Sequence, residues 1–242
     1  MFGDSLTFHG PVSPVALTDP RLYPNVLGEA LSAGGPPVRV DVVARLGWTA
    51  RDAWWALTKD PYVATVLAPA ATAVVLAVGQ MDQLPAAVPT YLRDGIAYLR
   101  PGWLRRAARR AYRGAGPALI RASGGRMRQL PQSATDTYLQ RITQAVRLLS
   151  PLGPGLPIVL LGPAPYAAAA YPSQRPHRPA VAAGRAWAAR AHVTFVDLDP
   201  LVGPGLADGS SNPDGMHWGW GVHRQVGLAV AAAIATGTVA AG

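Results

Sequence analysis

The chain contains no cysteine, which excludes a disulfide framework, a thiolate metal site and a thiol nucleophile, so covalent catalysis here must fall to oxygen or nitrogen. Histidine is sparse: the five lie scattered at positions 9, 177, 192, 217 and 223. His217 and His223 lack the i, i+4 spacing of a helical zinc pair, and no metal is expected. No apolar run reaches the ~20 residues of a membrane-spanning helix. The most apolar stretches are 66–79, broken by Pro69, and the Ala-rich tail 226–242. No basic segment followed by an apolar one precedes Gly3, so no signal peptide and a cytoplasmic location are expected. Acidic residues almost vanish between Arg93 and Arg128, where ten arginines stand against Asp94 alone; the remainder of the chain is balanced. A basic block this dense implies an anionic partner, whether phosphate, carboxylate, nucleic acid or a lipid surface.

With 242 residues, half of them hydrophobic, the chain is long enough to bury a sizeable core and suits one α/β domain spanning 1–242. Short β-branched runs recur at 40–43, 73–78, 158–161 and 193–196, and read as strands. Helical patterns lie between them at 21–33, 49–58, 133–149, 178–191 and 220–236. Alternating strands and helices predict a three-layer α/β/α sandwich around a central parallel sheet of about five strands, flavodoxin-like in kind. Residues 100–131 break the alternation. Glycines and prolines there interrupt Arg/Ala segments, so an insertion or lid is expected, with one short helix over 103–112. A second Pro-rich loop, 162–179, is expected to rim the same strand ends. Only Met1 and Phe2 precede the Gly3-Asp4-Ser5 turn, short for a buried strand of ~5 residues, so a start upstream of Met1 is expected.

Ser5 and His217 bracket the chain as a candidate nucleophile and base, and Asp214 stands three residues before the imidazole. A serine hydroxyl attacks at neutral pH only when an imidazole takes its proton and a carboxylate fixes that imidazole's tautomer. The competing reading of Asn212-Pro213-Asp214-Gly215 is a plain turn. In a parallel sheet ligands bind beyond the carboxyl ends of the strands, where Ser5 is expected to sit.

Gly3-Asp4-Ser5-Leu6, the glycine of Arg45-Leu46-Gly47-Trp48-Thr49, the segment Gly79-Gln80-Met81-Asp82 and the late Asp214-x-x-His217 together resemble the four sequence blocks of the SGNH (GDSL) hydrolase family. The resemblance covers nearly the whole chain. It implies that Ser5 attacks an acyl carbonyl, that His217 is the general acid and base, and that Asp214 orients His217. It implies an oxyanion hole from the backbone N–H groups of Ser5 and Gly47 and an asparagine side chain in the third block. Here Met81 stands where that asparagine belongs and offers no donor. Gln80, or an arginine of the insertion, is a candidate replacement; equally, Gln80 and Met81 simply end the strand.

More narrowly, the Asp-Ser-Leu-Thr-Phe-His-Gly-Pro phrase, the Arg-rich insertion and the ending Asp-Gly-Met-His-Trp-Gly resemble acyltransferases within this family that serve methylglucose lipopolysaccharide synthesis. That resemblance implies transfer of octanoyl from acyl-CoA, a co-substrate with no further cofactor, to a glucosyl hydroxyl of an anionic glucosylglycerate. Asp4, Trp48, Asp82, Arg105, Arg106, Arg109 and Trp218 are the candidate substrate contacts. Bidentate arginines suit the phosphates and the acceptor carboxylate. Tryptophans at 48, 54, 55, 103 and 218 either stack on sugar rings and exclude water or pack the core. Two rivals remain at this point: an esterase or thioesterase with water as acceptor, and a nucleic-acid or membrane-surface binder working through 93–128. His9 is expected near the pocket entrance, and His177, His192 and His223 in loops or at the surface.

Overall fold

The computed structural model describes residues 1–209 and 214–239, with side chains described through residue 236. Five strands form one sheet: β1 (Phe2–Gly3), β2 (Val43–Ala44), β3 (Val74–Ala77), β4 (Ile158–Leu161) and β5 (Thr194–Val196). Their spatial order is β2-β1-β3-β4-β5 and every pairing is parallel, with Phe2 opposite Val43 on one side and Leu76 on the other. This is the flavodoxin-like strand order. The helices are α1 (Tyr23–Ser32), α2 (Ala50–Lys59), α3 (Ala68–Ala70), α4 (Gln80–Gln83), α5 (Thr90–Gly95), α6 (Gly102–Ala122), α7 (Gln132–Leu149), α8 (His177–Arg190), α9 (Asp199–Ala207) and α10 (Trp220–Val239).

Successive strand side chains point to opposite faces, so β3 divides its residues between two cores. Val74, Leu76 and Val78 join Phe2, Ile158 and Leu160 under helices α2, α7 and α8, through Ala53, Leu57, Ile142, Val146 and Trp187. Val75 and Ala77 join Val159, Leu161 and Val196 under α1, α9 and α10, through Tyr23, Leu27, Val202, Val226 and Val230. The layers are therefore helix, sheet, helix. Each buried Val or Leu contributes ~1.5–3 kcal/mol, and the near-continuous apolar strands reflect burial on both faces.

Three elements differ from expectation. The edge strand β2 lies at Val43–Ala44, later than the apolar run 40–43. The Arg-rich insertion is no series of short segments: α6 runs unbroken through Gly114, Gly116 and Pro117. Pro117 removes one hydrogen bond, to the Arg113 carbonyl, but the helix is anchored on both sides of it by the buried Gly116 and Ile120. Helix α9 went unread because Gly203, Pro204 and Gly205 mask it, although Asp199 and Pro200 at its start are ordinary helix-opening residues. Among the described residues no helix is long and apolar enough to cross a membrane.

Candidate active site

The chain turns sharply at the end of β1. The Asp4 carboxylate accepts the Leu6 N–H at 2.9 Å and caps a single helical turn, Ser5–Thr7. Gly3 has to lack a side chain, since a Cβ there would lie 2.0 Å from Thr7 Oγ1. Ser5 thus sits beyond the carboxyl end of a central strand. The segment after β4 lies alongside it, and the 214–217 loop is pinned to that segment by the Ala167 N–H donating to Gly215 O at 2.7 Å. Gly215 adopts φ +68°, and a Cβ would meet the Ala167 carbonyl at 2.5 Å, so only glycine serves here.

The loop carries the base to the nucleophile. His217 Nε2 lies 3.1 Å from Ser5 Oγ, across 212 residues of sequence, and His217 Nδ1 lies 2.6 Å from Asp214 Oδ2. Asp214 Oδ1 also accepts the backbone N–H groups of Met216 at 2.9 Å and His217 at 3.1 Å. An ionised carboxylate only accepts, so Nδ1 carries the imidazole proton and Nε2 is free to take the serine's. Burial lowers the His217 pKa, ahead of the Asp214 hydrogen bond that raises it and the His9 ring that lowers it. Burial would raise Asp214, but the hydrogen bonds from His217 and Met216 outweigh it and hold the carboxyl below its usual range. The resting imidazole is thus neutral near pH 7 and its orienting group charged, the state in which a general base can act. Asn212 and Pro213 of the expected turn lie outside the described residues.

The other candidates fall into supporting and exposed positions. Asp4, Asp82 and Trp218 are each 2% exposed or less, so they brace the site and present no surface to a sugar. Burial pushes Asp4 up to about 7, with Asp82 nearby adding to the effect of desolvation. Asp82 Oδ2 accepts the Ala50 N–H at the start of α2 at 3.1 Å, and its Oδ1 accepts Thr135 Oγ1–H at 2.8 Å. Burial raises Asp82 to about 6 against these bonds. That arrangement ties the third sequence block to the turn holding Gly47, Trp48 and Thr49. Gly47, after β2, adopts φ +73° and is exposed.

Gln80 is held in the scaffold beside the site. Its Nε2 donates to Gly162 O at 2.6 Å and its Oε1 accepts the Ala164 N–H, so the carboxamide joins the end of β3 to the post-β4 loop, while one Nε2–H is left over and the residue lines the pocket beside Ser5. Met81 does reach the site. With Leu6, Leu84, Pro165, Tyr166 and Met216 it lines a narrow apolar pocket beside Ser5 that holds about 20 Å³ of open space, room for one water. A roomier cavity, about 430 Å³, lies at the amino ends of the strands, against Met1, Val40 and Thr72, away from the chemistry.

The insertion adjoins this pocket. Leu84 O accepts the Gln129 N–H and Met127 O accepts the Ala86 N–H, both at 2.9 Å, so the return limb of α6 is laced to the pocket wall. Arg93 and Arg51 both bind Asp94, and Arg128 binds Gln132 Oε1 at 2.6 Å. Arg106, Arg109 and Arg110 are exposed, while Arg105 is half-buried and donates to Ala97 O at 3.4 Å. Trp48 is half-buried under Arg45, Trp54 packs against the core, and Trp55 and Trp103 are exposed. Two histidines read as loop or surface residues are interior: His177 is held by Gln83 and Asp199, and His223 is fully buried. No group of three or more His, Asp or Glu side chains that would hold a metal occurs among the described residues.

Residues 1–224 match the GDSL-like lipase/acylhydrolase family. The chain belongs to that family. As a GDSL-like protein it is an enzyme of the SGNH superfamily, with the expected α/β/α sandwich. It is 38% identical over 229 residues to a diglucosylglycerate octanoyltransferase of Mycolicibacterium hassiacum, covering 93% of this chain and 90% of that one. The protein of the same name from Mycobacterium tuberculosis is 36% identical over 227 residues, covering 93% and 87%. A lipase/acylhydrolase from Enterococcus faecalis superposes with a TM-score of 0.63 at 16% identity, covering 96% of this chain and 91% of that structure. An extracellular lipase from Streptomyces rimosus gives 0.54 at 15%, covering 96% and 97%. At those identities the two structures speak to the GDSL fold alone.

Proposed function

We propose that this enzyme transfers octanoyl from acyl-CoA to a glucosyl hydroxyl of a glucosylglycerate, within methylglucose lipopolysaccharide synthesis in the cytoplasm. The observation that carries the chemistry is the unbroken line from Asp214 Oδ2 through the His217 ring to Ser5 Oγ, with contacts of 2.6 and 3.1 Å. The octanoyl group and the glucosylglycerate acceptor are supported by the diglucosylglycerate octanoyltransferase relatives, which match across more than nine-tenths of this chain.

His217 Nε2 takes the Ser5 proton as Oγ attacks the thioester carbonyl, and Asp214 stabilises the imidazolium that forms. The backbone N–H groups of Ser5 and Gly47 receive the oxyanion. With Met81 in the third position, one side-chain donor is forgone, a loss of the kind worth ~3 kcal/mol elsewhere. In exchange the wall beside Ser5 is apolar, and the flexible methionines 81 and 216 yield to an acyl chain that the resting pocket does not admit. CoA leaves with the proton from His217. The glucosyl hydroxyl then gives its proton to the same imidazole and attacks the octanoyl-serine, releasing the ester and restoring Ser5. The exposed arginines of α6 suit the donor's phosphates and the acceptor's carboxylate.

Incubation with octanoyl-CoA followed by intact-mass spectrometry tests the covalent step. An octanoyl adduct in the wild type, missing in Ser5→Ala, is expected; full transfer by Ser5→Ala overturns the mechanism.

A further inference from the structure

A second imidazole covers the first. His9 lies flat on His217, with ring centroids 3.6 Å apart and planes inclined by 16°. Its placement is determined on every side. The His9 backbone N–H donates to Ser5 O at 2.8 Å, and the ring Nδ1–H donates to Gly10 O at 2.7 Å. The His9 carbonyl accepts the His223 Nε2–H at 3.0 Å, and His223 Nδ1 in turn accepts the Tyr23 N–H at 3.3 Å. Those two bonds fix His223 as the neutral Nε2–H form. Tyr23 also reaches forward, its hydroxyl 3.1 Å from Thr7 Oγ1. Residue 10 is glycine because a Cβ there would lie 2.6 Å from the Trp220 ring. The chain from Ser5 to Gly10 is therefore clamped from α1 and α10, and the clamp's product is the His9 ring plane.

We propose that His9 is a positioning residue for His217, holding its imidazole in the plane that joins Asp214 to Ser5. The inference rests on Ser5, His217 and Asp214 acting as the triad. The two hydrogen bonds of His217 run to opposite ends of its ring, Nδ1 to Asp214 and Nε2 to Ser5, and so define an axis about which the ring can still rock. A flat neighbour at 3.6 Å removes that freedom. When His217 becomes imidazolium during catalysis, the face of a neutral His9 receives the charge favourably. From the 214–217 loop the facing groups are Asp214 and His217 themselves, and from α10 it is His223, which burial keeps neutral down to about 4. In the turn before α1, Asp19 and Arg21 pair with each other at 2.7 Å.

CoA release from octanoyl-CoA can be followed with a thiol reagent, because the enzyme has no cysteine to react. The rate is measured against octanoyl-CoA concentration for wild type, His9→Phe, His9→Ala and Ser5→Ala, so that kcat and KM are read separately. His9→Ala should lower kcat by about 3- to 10-fold, the equivalent of a ring stack, with KM unchanged. His9→Phe keeps a flat ring and no charge. It should retain the wild-type kcat, a rescue by ring shape that His9→Ala lacks. A wild-type kcat in His9→Ala, or a kcat in His9→Phe as low as in His9→Ala, overturns the positioning role. If only Ser5→Ala is inactive and both His9 variants match wild type, the triad stands without His9; if Ser5→Ala keeps its turnover, triad and inference fall together.

Discussion

Replacing Asp214 with Asn separates the orienting role of this carboxylate from mere contact. Asn keeps an oxygen for the Met216 and His217 backbone N–H groups, which now reach Oδ1 at 2.9 and 3.1 Å, so the loop keeps its shape. What changes is the second oxygen, 2.6 Å from His217 Nδ1, whose place is taken by an NH₂ group. Two donors cannot face each other, so Nδ1 becomes the acceptor and the ring proton moves to Nε2, the atom opposite Ser5 Oγ. The base is then in the wrong tautomer, a change that costs about 10⁴-fold in kcat in a serine triad, or ~5 kcal/mol of transition-state stabilisation. Because Asp214 touches neither substrate, KM should hold. CoA release under single-substrate conditions, with melting temperature checked alongside, measures both. A loss smaller than 10-fold with the fold intact would refute the tautomer argument and point to another acid behind His217.

Other outcomes follow from the same geometry. His223 is held near 4 where an unfolded histidine sits at 6.5, so acid favours the unfolded chain and stability worth ~3 kcal/mol is lost as pH falls from 6.5 to 4. His223→Phe should remove that loss in pH-dependent calorimetry. Asp4 has the opposite sign: raised from 3.8 to about 7, it binds a proton more tightly when folded, so its contribution fades as pH rises through that window, and Asp4→Asn should flatten this slope. Arg106, Arg109 and Arg110 changed together to Gln should raise KM for octanoyl-CoA and weaken its salt dependence while leaving kcat within about twofold. Met81→Ala widens the pocket beside Ser5 and should shift preference toward acyl chains longer than octanoyl in a chain-length series. Leu76→Ala, at a position with no exposed surface, should cost ~2–5 kcal/mol in urea unfolding without touching the site.

Much of this was legible in the chain because it depends on local pattern. The β-branched runs gave β3, β4 and β5 and touched β2 only at Val43, and 3.6-residue periodicity gave α1, α2, α7, α8 and α10 to within a few residues. The site's outline followed from the spacing of Asp214 and His217 and from Ser5 standing just after the first strand, since ligands bind beyond the carboxyl ends of a parallel sheet. What stayed hidden depends on partners far away in sequence. Nothing near Gln80 shows that its amide will be spent on Gly162 and Ala164. His223 looks like any helix residue until Tyr23, two hundred positions earlier, takes its Nδ1. Trp218 reads as a stacking platform and is core, because its neighbours on α1 and α10 enclose it. The continuity of α6 through Pro117 likewise owes to the burial of Gly116 and Ile120 against the rest of the chain, which no local propensity encodes.

The central claim is transfer of octanoyl from CoA to a sugar through Ser5, and it is tested most directly by supplying octanoyl-CoA with and without diglucosylglycerate and quantifying both products by mass spectrometry. Octanoylated glycoside formed only with the acceptor present, little free octanoate, and neither product from Ser5→Ala is the result this account predicts. Rapid release of free octanoate at the same rate with or without acceptor would contradict it and make the enzyme a thioesterase.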